Sequence, residues 1–426
     1  MYPRRVLAVS LLAAAVVTSL LSGCGSSASH STGPAVPELA APLPAGWLNS
    51  VSAASATDAW AVGFTCGRGC TSSNSATERT LTVRWNGRTW SRVPSPSPGA
   101  AAELLSVSVT SHGTAYAAGW TCDVACVTGT GGYQPLLLRF DGVRWSRATT
   151  PDPGISTMLY SVSASGGSTV WAVGQTCTAN CETSLAGWQS LVLSTRGNGW
   201  NVATQPITGV SPLAVAAGQG GAAWLVGLCT SWCRAALSST LALYRQGTGD
   251  DWSPEVTPSP GDSAALNSVS AGIGGAAWAV GNYCTSACGS ASAVDNPLIV
   301  HWDGTSWSVA ASPGHLVNAV LSGVSSGSDG SAWAVGWTCK PRCTATAQDD
   351  RTLILSWTGT TWVQVASPTP AAVTSLRGVS LDPADPGSDA WAVGSYCATN
   401  CGTASAEAVR PVILHWTGTA WVMSMS

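Results

Sequence analysis

Along most of the chain, short runs of alternating bulky and small side chains are separated by clusters of Gly, Pro, Ser and Asn. In Ala59-Trp-Ala-Val-Gly63, Trp60 and Val62 fall on one face of an extended segment and Ala59, Ala61 and Gly63 on the other. The same Trp-Ala-Val-Gly begins at Trp171, Trp278, Trp333 and Trp391. Tyr116-Ala-Ala-Gly and Trp224-Leu-Val-Gly complete a set of seven, spaced 53 to 58 residues apart. A second marker keeps the same period at Trp90, Trp145, Trp200, Trp252, Trp307, Trp362 and Trp421.

Each unit predicts four strands, in unit one Leu48–Ala53, Ala59–Gly63, Thr80–Trp85 and Trp90–Val93. The first is echoed by Leu104–Val109, Leu159–Ala164 and Leu266–Ala271, where small residues alternate with Val. Asn86-Gly87, Asp141-Gly142, Asp303-Gly304, Thr358-Gly359 and Thr417-Gly418 read as hairpin turns, because Gly accepts the positive φ such turns require. Between units lie Pro-rich crossings such as Pro94–Gly99 and Pro258–Gly261, which cannot continue a central strand.

Seven units of four antiparallel strands predict an all-β chain, a seven-bladed β-propeller over 47–426, with repeats at 47–100, 101–154, 155–209, 210–261, 262–314, 315–371 and 372–426. The Trp face of one blade would lie over the Ala and Gly face of the next. An open array or two sandwiches would leave strand edges unprotected. Unit one begins with its innermost strand and unit seven ends with its outermost, so the ring is expected to close by blade packing without a shared strand.

Composition narrows the possibilities. The 426 residues are 45% hydrophobic, too apolar for disorder. Only 9% are charged, Lys340 is the single Lys and the formal net charge is −3, so no basic block could neutralise a run of phosphates and nucleic acid is not an expected partner. The N-terminus carries Arg4 and Arg5, an apolar run from Val6 to Leu21, and then Leu21-Ser22-Gly23-Cys24. That tetrapeptide resembles the lipobox of bacterial lipoproteins. The resemblance implies a signal peptide over 1–23 cut before Cys24, a diacylglycerol on its sulfur, and residence on the extracytoplasmic face of the cell membrane. An uncleaved membrane helix and plain secretion are the alternatives. Residues 24–46, rich in Ser, Pro and Ala, read as a flexible tether.

The remaining cysteines pair by spacing. Each unit has one Cys-x-x-x-Cys after its second strand: Cys66 and Cys70, Cys122 and Cys126, Cys177 and Cys181, Cys229 and Cys233, Cys284 and Cys288, Cys339 and Cys343, Cys397 and Cys401. One local disulfide per blade is expected in an oxidising compartment, ahead of pairing between blades or metal binding. No metal or other cofactor is expected, since the few His residues supply no companion ligands. Strand parity puts these loops and the Pro-rich crossings on one face of the ring.

The tandem Trp-Ala-Val-Gly units, with Trp302-Asp-Gly-Thr-Ser-Trp307, resemble bacterial secreted propellers, and the Asp303 to Trp307 turn is distantly similar to the Asp-box of sialidase-type propellers with a shorter Asp-to-Gly spacing. The resemblance implies a fold more than an activity. On the cysteine-loop face Phe64, Trp120, Trp188, Trp232, Tyr283, Trp337 and Tyr396 are candidate binding residues, able to stack on sugars or anchor a protein, or else to cover the disulfides. Catalytic residues are not expected. Among the inner strands only Arg377 offers a charged group, with Glu103 and Asp262 just before their strands and His315 in a crossing. The resulting expectation is a monomeric, membrane-anchored, non-enzymatic module for an envelope protein or cell-wall glycan, with a carbohydrate-active propeller enzyme as the alternative.

Overall fold

The computed structural model describes residues 43–66, 78–127, 131–164, 169–179, 181, 187–196, 199–203, 207–230, 238–247, 251–288, 290, 293–314, 316–339, 350–398 and 409–425. They form seven four-stranded antiparallel sheets, each made of consecutive strands. Blade one contains Gly46–Ser55, Asp58–Thr65, Arg79–Trp85 and Trp90–Arg92. The other inner strands are Ala101–Val109, Ser156–Ala164, Val210–Ala217, Ser263–Ala271, Ala319–Ser326 and Val373–Leu381. Every inner strand lies against those of both neighbouring blades, and the seventh meets the first. The chain is a seven-bladed propeller whose ring closes by packing, with no strand exchanged.

Alternation along the second strands explains the packing. Trp60 and Val62 of blade one join Ala115, Ala117, Leu136, Leu138, Phe140 and Trp145 of blade two in one cluster, so the bulky face of each blade seats on the small face of the next. At the seam Trp391 of blade seven fits over Ala59 and Ala61 of blade one. The two tryptophan markers meet at these junctions, edge to face. The pairs are Trp60 with Trp145, Trp171 with Trp252, Trp224 with Trp307, Trp278 with Trp362, Trp333 with Trp421, and Trp391 with Trp90, at 5.0 to 5.2 Å and 77° to 88°. Tyr116 with Trp200 completes the girdle at 6.3 Å. The buried indole N–H groups of Trp90, Trp145, Trp252, Trp307, Trp362 and Trp421 have no oxygen or nitrogen acceptor, which leaves the neighbouring ring face as their contact.

Nearer the axis, serines stitch the inner strands together. Ser50 Oγ and Ser52 Oγ accept from Val107 N and Val109 N, Ser106 and Ser108 from Val162 and Ala164, and Ser161 and Ser163 from Val215 and Ala217. Ser268 and Ser270 repeat the pair at the fifth junction. Blade four has Ala214 and Ala216 at these positions, and blades six and seven keep one rung each, from Ser325 and Ser380, beside Gly323 and Gly378. The hydroxyls satisfy N–H groups along what would otherwise be an open strand edge.

The structure corrects one expectation. Inner strands begin two to three residues before the alternating run, because pairing continues out to the cysteine, as in Ala101 with Cys122, Ser156 with Cys177 and Ser263 with Cys284. Glu103 is therefore inside its strand and not ahead of it. The Gly turns have the expected positive φ, 88° at Gly87 and 103° at Gly304, and Trp85 pairs with Trp90 and Trp302 with Trp307, so the loop has the four residues that the strand bounds leave between them. Its first side chain organises it. Asn86 Oδ1 accepts from Arg88 N and Thr89 N, and Asp303 Oδ1 from Thr305 N, Ser306 N and the Thr305 hydroxyl. The Thr305 hydroxyl and these N–H groups push the Asp303 carboxyl down to about 2.

Candidate functional site at the channel mouth

In every blade the pairing of inner and second strands slips by one residue at the Gly of Trp-Ala-Val-Gly. Leu48 pairs with Gly63 and Ser50 with Val62, so Asn49 is left over. The corresponding residues are Leu105, Tyr160, Leu213, Asn267, Ser322 and Arg377. Such bulges re-aim a side chain. The repeated Gly makes room for the slip: a Cβ on Gly63, Gly119 or Gly174 would stand 1.9 Å from the carbonyl oxygen of Trp47, Glu103 or Met158. Since each inner strand starts at the cysteine-loop end, the seven bulges form a ring just inside that mouth of the channel.

One side of this mouth is polar. Arg377 Nη1 of blade seven donates to Asn49 Oδ1 of blade one at 3.4 Å, and Asn49 Nδ2 donates to Glu103 Oε1 and Leu104 O of blade two, both at 2.9 Å. Burial pulls the pKa of Arg377 down and the Glu103 carboxylate opposes the shift. Asn49 thus links the guanidinium of blade seven to the carboxylate of blade two along the rim of the mouth. Asn267 repeats the role of Asn49, donating to Leu321 O of the next blade at 2.9 Å and to Asn282 Oδ1 at 3.3 Å. Asn282 Nδ2 in turn donates to Asp295 Oδ1 at 2.9 Å. Burial pushes the Asp295 carboxyl up, and the Asn282 amide opposes it.

The other side is apolar. Leu105 and Leu213 pack against a cluster of Trp120, Met158, Tyr160, Trp188 and the cysteines Cys122, Cys126 and Cys177. Within it the buried Tyr160 hydroxyl donates to Gln175 Oε1 at 3.1 Å, and Gln175 Nε2 to Ser211 Oγ at 2.7 Å. Burial raises the Tyr160 phenol well above its ordinary range.

The residues singled out from sequence divide by burial. Phe64 is 8% exposed and stacks on Trp47 at 5.0 Å, while Trp120 and Trp188 are each 5% exposed. Trp120 stands edge-on to Tyr133, and the Trp188 indole donates to Cys181 O at 3.3 Å. These three rings cover the core and the disulfides. Tyr283, Trp337 and Tyr396 are half-buried at the same end of their strands. Disulfides join Cys122 to Cys126, Cys177 to Cys181 and Cys284 to Cys288. Cys66, Cys229, Cys339 and Cys397 are also disulfide-bonded. Cys24, Cys70, Cys233, Cys343, Cys401, Trp232 and His315 lie outside the described residues. Among the described residues no cluster of three His, Cys, Asp or Glu could hold a metal ion, and no helix is long and apolar enough to cross a membrane.

No family model and no curated protein matches the chain. Solved structures are similar to it at low identity. YCF48 bound to a D1 peptide is 12% identical over 88% of this chain and 95% of that one, with a TM-score of 0.49. A GH93 α-L-arabinofuranosidase of Fusarium graminearum is 14% identical over 72% and 91%, at 0.46. The six-bladed Aleuria aurantia fucose lectin is 11% identical over 89% and 96%, at 0.39. Binding proteins and enzymes both use this architecture.

Proposed function

We propose that this protein is a non-enzymatic binding module, held at the extracytoplasmic face of a membrane by a lipid on Cys24, that receives an envelope protein or cell-wall glycan at the cysteine-loop end of the ring. One observation carries this reading: the inner-strand residue that the bulge leaves unpaired changes from blade to blade, while the backbone slip that leaves it there recurs in all seven. The Leu just before it is kept in six blades, whereas the bulge carries Asn, Leu, Tyr, Leu, Asn, Ser and Arg in turn. The rigid ring and the disulfides beside its mouth limit what a partner must order on binding. The same end exposes Val124, Ile155, Val256 and Val317, which favours a protein partner.

Crosslinking in intact cells, with a photoreactive residue at Trp337 and another at Val143 in the opposite-face turn, tests the reading. Capture of one envelope component from Trp337 alone is expected. Equal capture from both positions would overturn it, and so would turnover in a glycosidase and lyase screen that disappears in Glu103→Gln.

A further inference from the structure

We infer that the channel mouth is a carboxylate site, in which Arg377 takes the carboxylate of an extended peptide segment and the opposite wall of Leu105, Tyr160 and Leu213 takes an apolar side chain beside it. The inference rests on the binding-module reading and names the chemistry of its ligand.

Arg377 is half-buried at the channel mouth, and among the described residues its guanidinium has one hydrogen bond, at 3.4 Å, and no ion pair. Its remaining N–H donors form the planar fork that matches a carboxylate. None of its nitrogens is among the buried atoms left without a partner, so they stay open to a ligand entering from the channel. Glu103 does not take that place, because the Asn49 amide stands between the two and binds both. Glycines fix the position of the arginine. A Cβ on Gly323 would come within 2.9 Å of Arg377 O, and one on Gly378 within 3.0 Å of Ser50 Cα, so the inner strands of blades six, seven and one approach more closely than serine would allow.

The apolar wall selects the kind of carboxylate. Leu105 and Leu213 remain half-buried on the far side of the mouth, flanking the Tyr160 ring. A peptide that ends in, or carries, a carboxylate next to an aliphatic or aromatic residue matches both walls.

Fluorescence polarisation on the folded full ring provides the test, with short peptides ending in Leu, Ile, Val or Phe as free acids, the same peptides amidated, and a polyuronate. The free acids should bind, amidation and Arg377→Met should each weaken binding roughly 30-fold or more, and Arg377→Lys should fall between. Glu103→Gln should tighten binding by removing a like charge, an effect a merely structural Arg377 would not give. If Arg377→Met does not fold, the acid-to-amide ratio and Glu103→Gln carry the test on their own. Equal affinity for acid and amide, binding of the polyuronate alone, or an unchanged Arg377→Met would overturn the inference. Cell capture that persists in Arg377→Met would do the same while leaving the binding-module reading in place.

Discussion

The outer girdle and the bulge ring are built from the same seven blades and follow opposite rules. In the girdle, six of seven second-strand positions are Trp and all seven fourth-strand markers are Trp, with near-perpendicular pairs at every junction. Each pair adds about 0.5–1.5 kcal/mol beyond the area it buries, and at the seam the same contact is repeated once more, beside the Ser380 rung and the Gly46 to Val409 hydrogen bond. In the bulge ring the backbone device repeats and the side chain does not. Repetition therefore marks what holds the blades together, and its failure inside a repeated backbone feature marks what the blades present.

The largest expected effect tests that division directly. Trp391→Ala removes a fully buried ring that touches Trp85 and Trp90 across the seam and stacks on His415 within its own blade. It should cost about 3–5 kcal/mol in chemical denaturation. Arg377→Met, on the inner strand of the same blade, should change stability by about 0.5 kcal/mol or less. Comparable losses would break the comparison.

The serine ladder sharpens it within the inner strands. Ser161→Ala leaves Val215 N without its acceptor and should destabilise the ring by about 1–3 kcal/mol, whereas Ala214→Ser at the unstitched fourth junction should gain about 0.5–1.5 kcal/mol. A neutral Ser161→Ala would mean that the ladder is incidental. The smallest effect concerns charge. Burial raises the Asp295 carboxyl, so the folded state binds its proton more tightly than the unfolded chain and loses stability as pH rises through the folded pKa. Asp295→Asn keeps an acceptor for Asn282 and should melt at a higher temperature at pH 7, with the advantage vanishing below the ordinary carboxylate range. A pH-independent difference would sink the assignment.

The propeller was legible because its determinants are local and copied: the Trp and Ala faces of Ala59–Gly63 and the turn at Asn86-Gly87 are readable within one unit. The site was harder to read because it depends on closure. Asn49 and Arg377 are 328 residues apart in sequence and meet only when blade seven docks on blade one. Glu103 was misplaced because Ala101-Ala-Glu-Leu-Leu105 breaks the alternation while still pairing as strand. Ser50 and Ser52 read as small residues beside Val, and their bonds to the following blade have no signature within one unit. The repeated Gly was the available clue. Its recurrence at the same register position signals a backbone that needs space, and the leftover residue opposite it could have been found by counting.

The closed ring also fixes where the chain enters it. Gly46 starts the inner strand of blade one at the cysteine-loop end, and its N–H bonds Val409 O near that same mouth. With an anchor at Cys24, the bilayer and the binding mouth lie at opposite ends of one leash that leaves beside the mouth itself. The 22 residue steps from Cys24 to Gly46 can reach at most about 75 Å. Under the proposed lipid anchoring, a partner seated on the ring would have to fit inside this clearance or stand off to one side, so the length of that segment would act as a gauge on what can be held there.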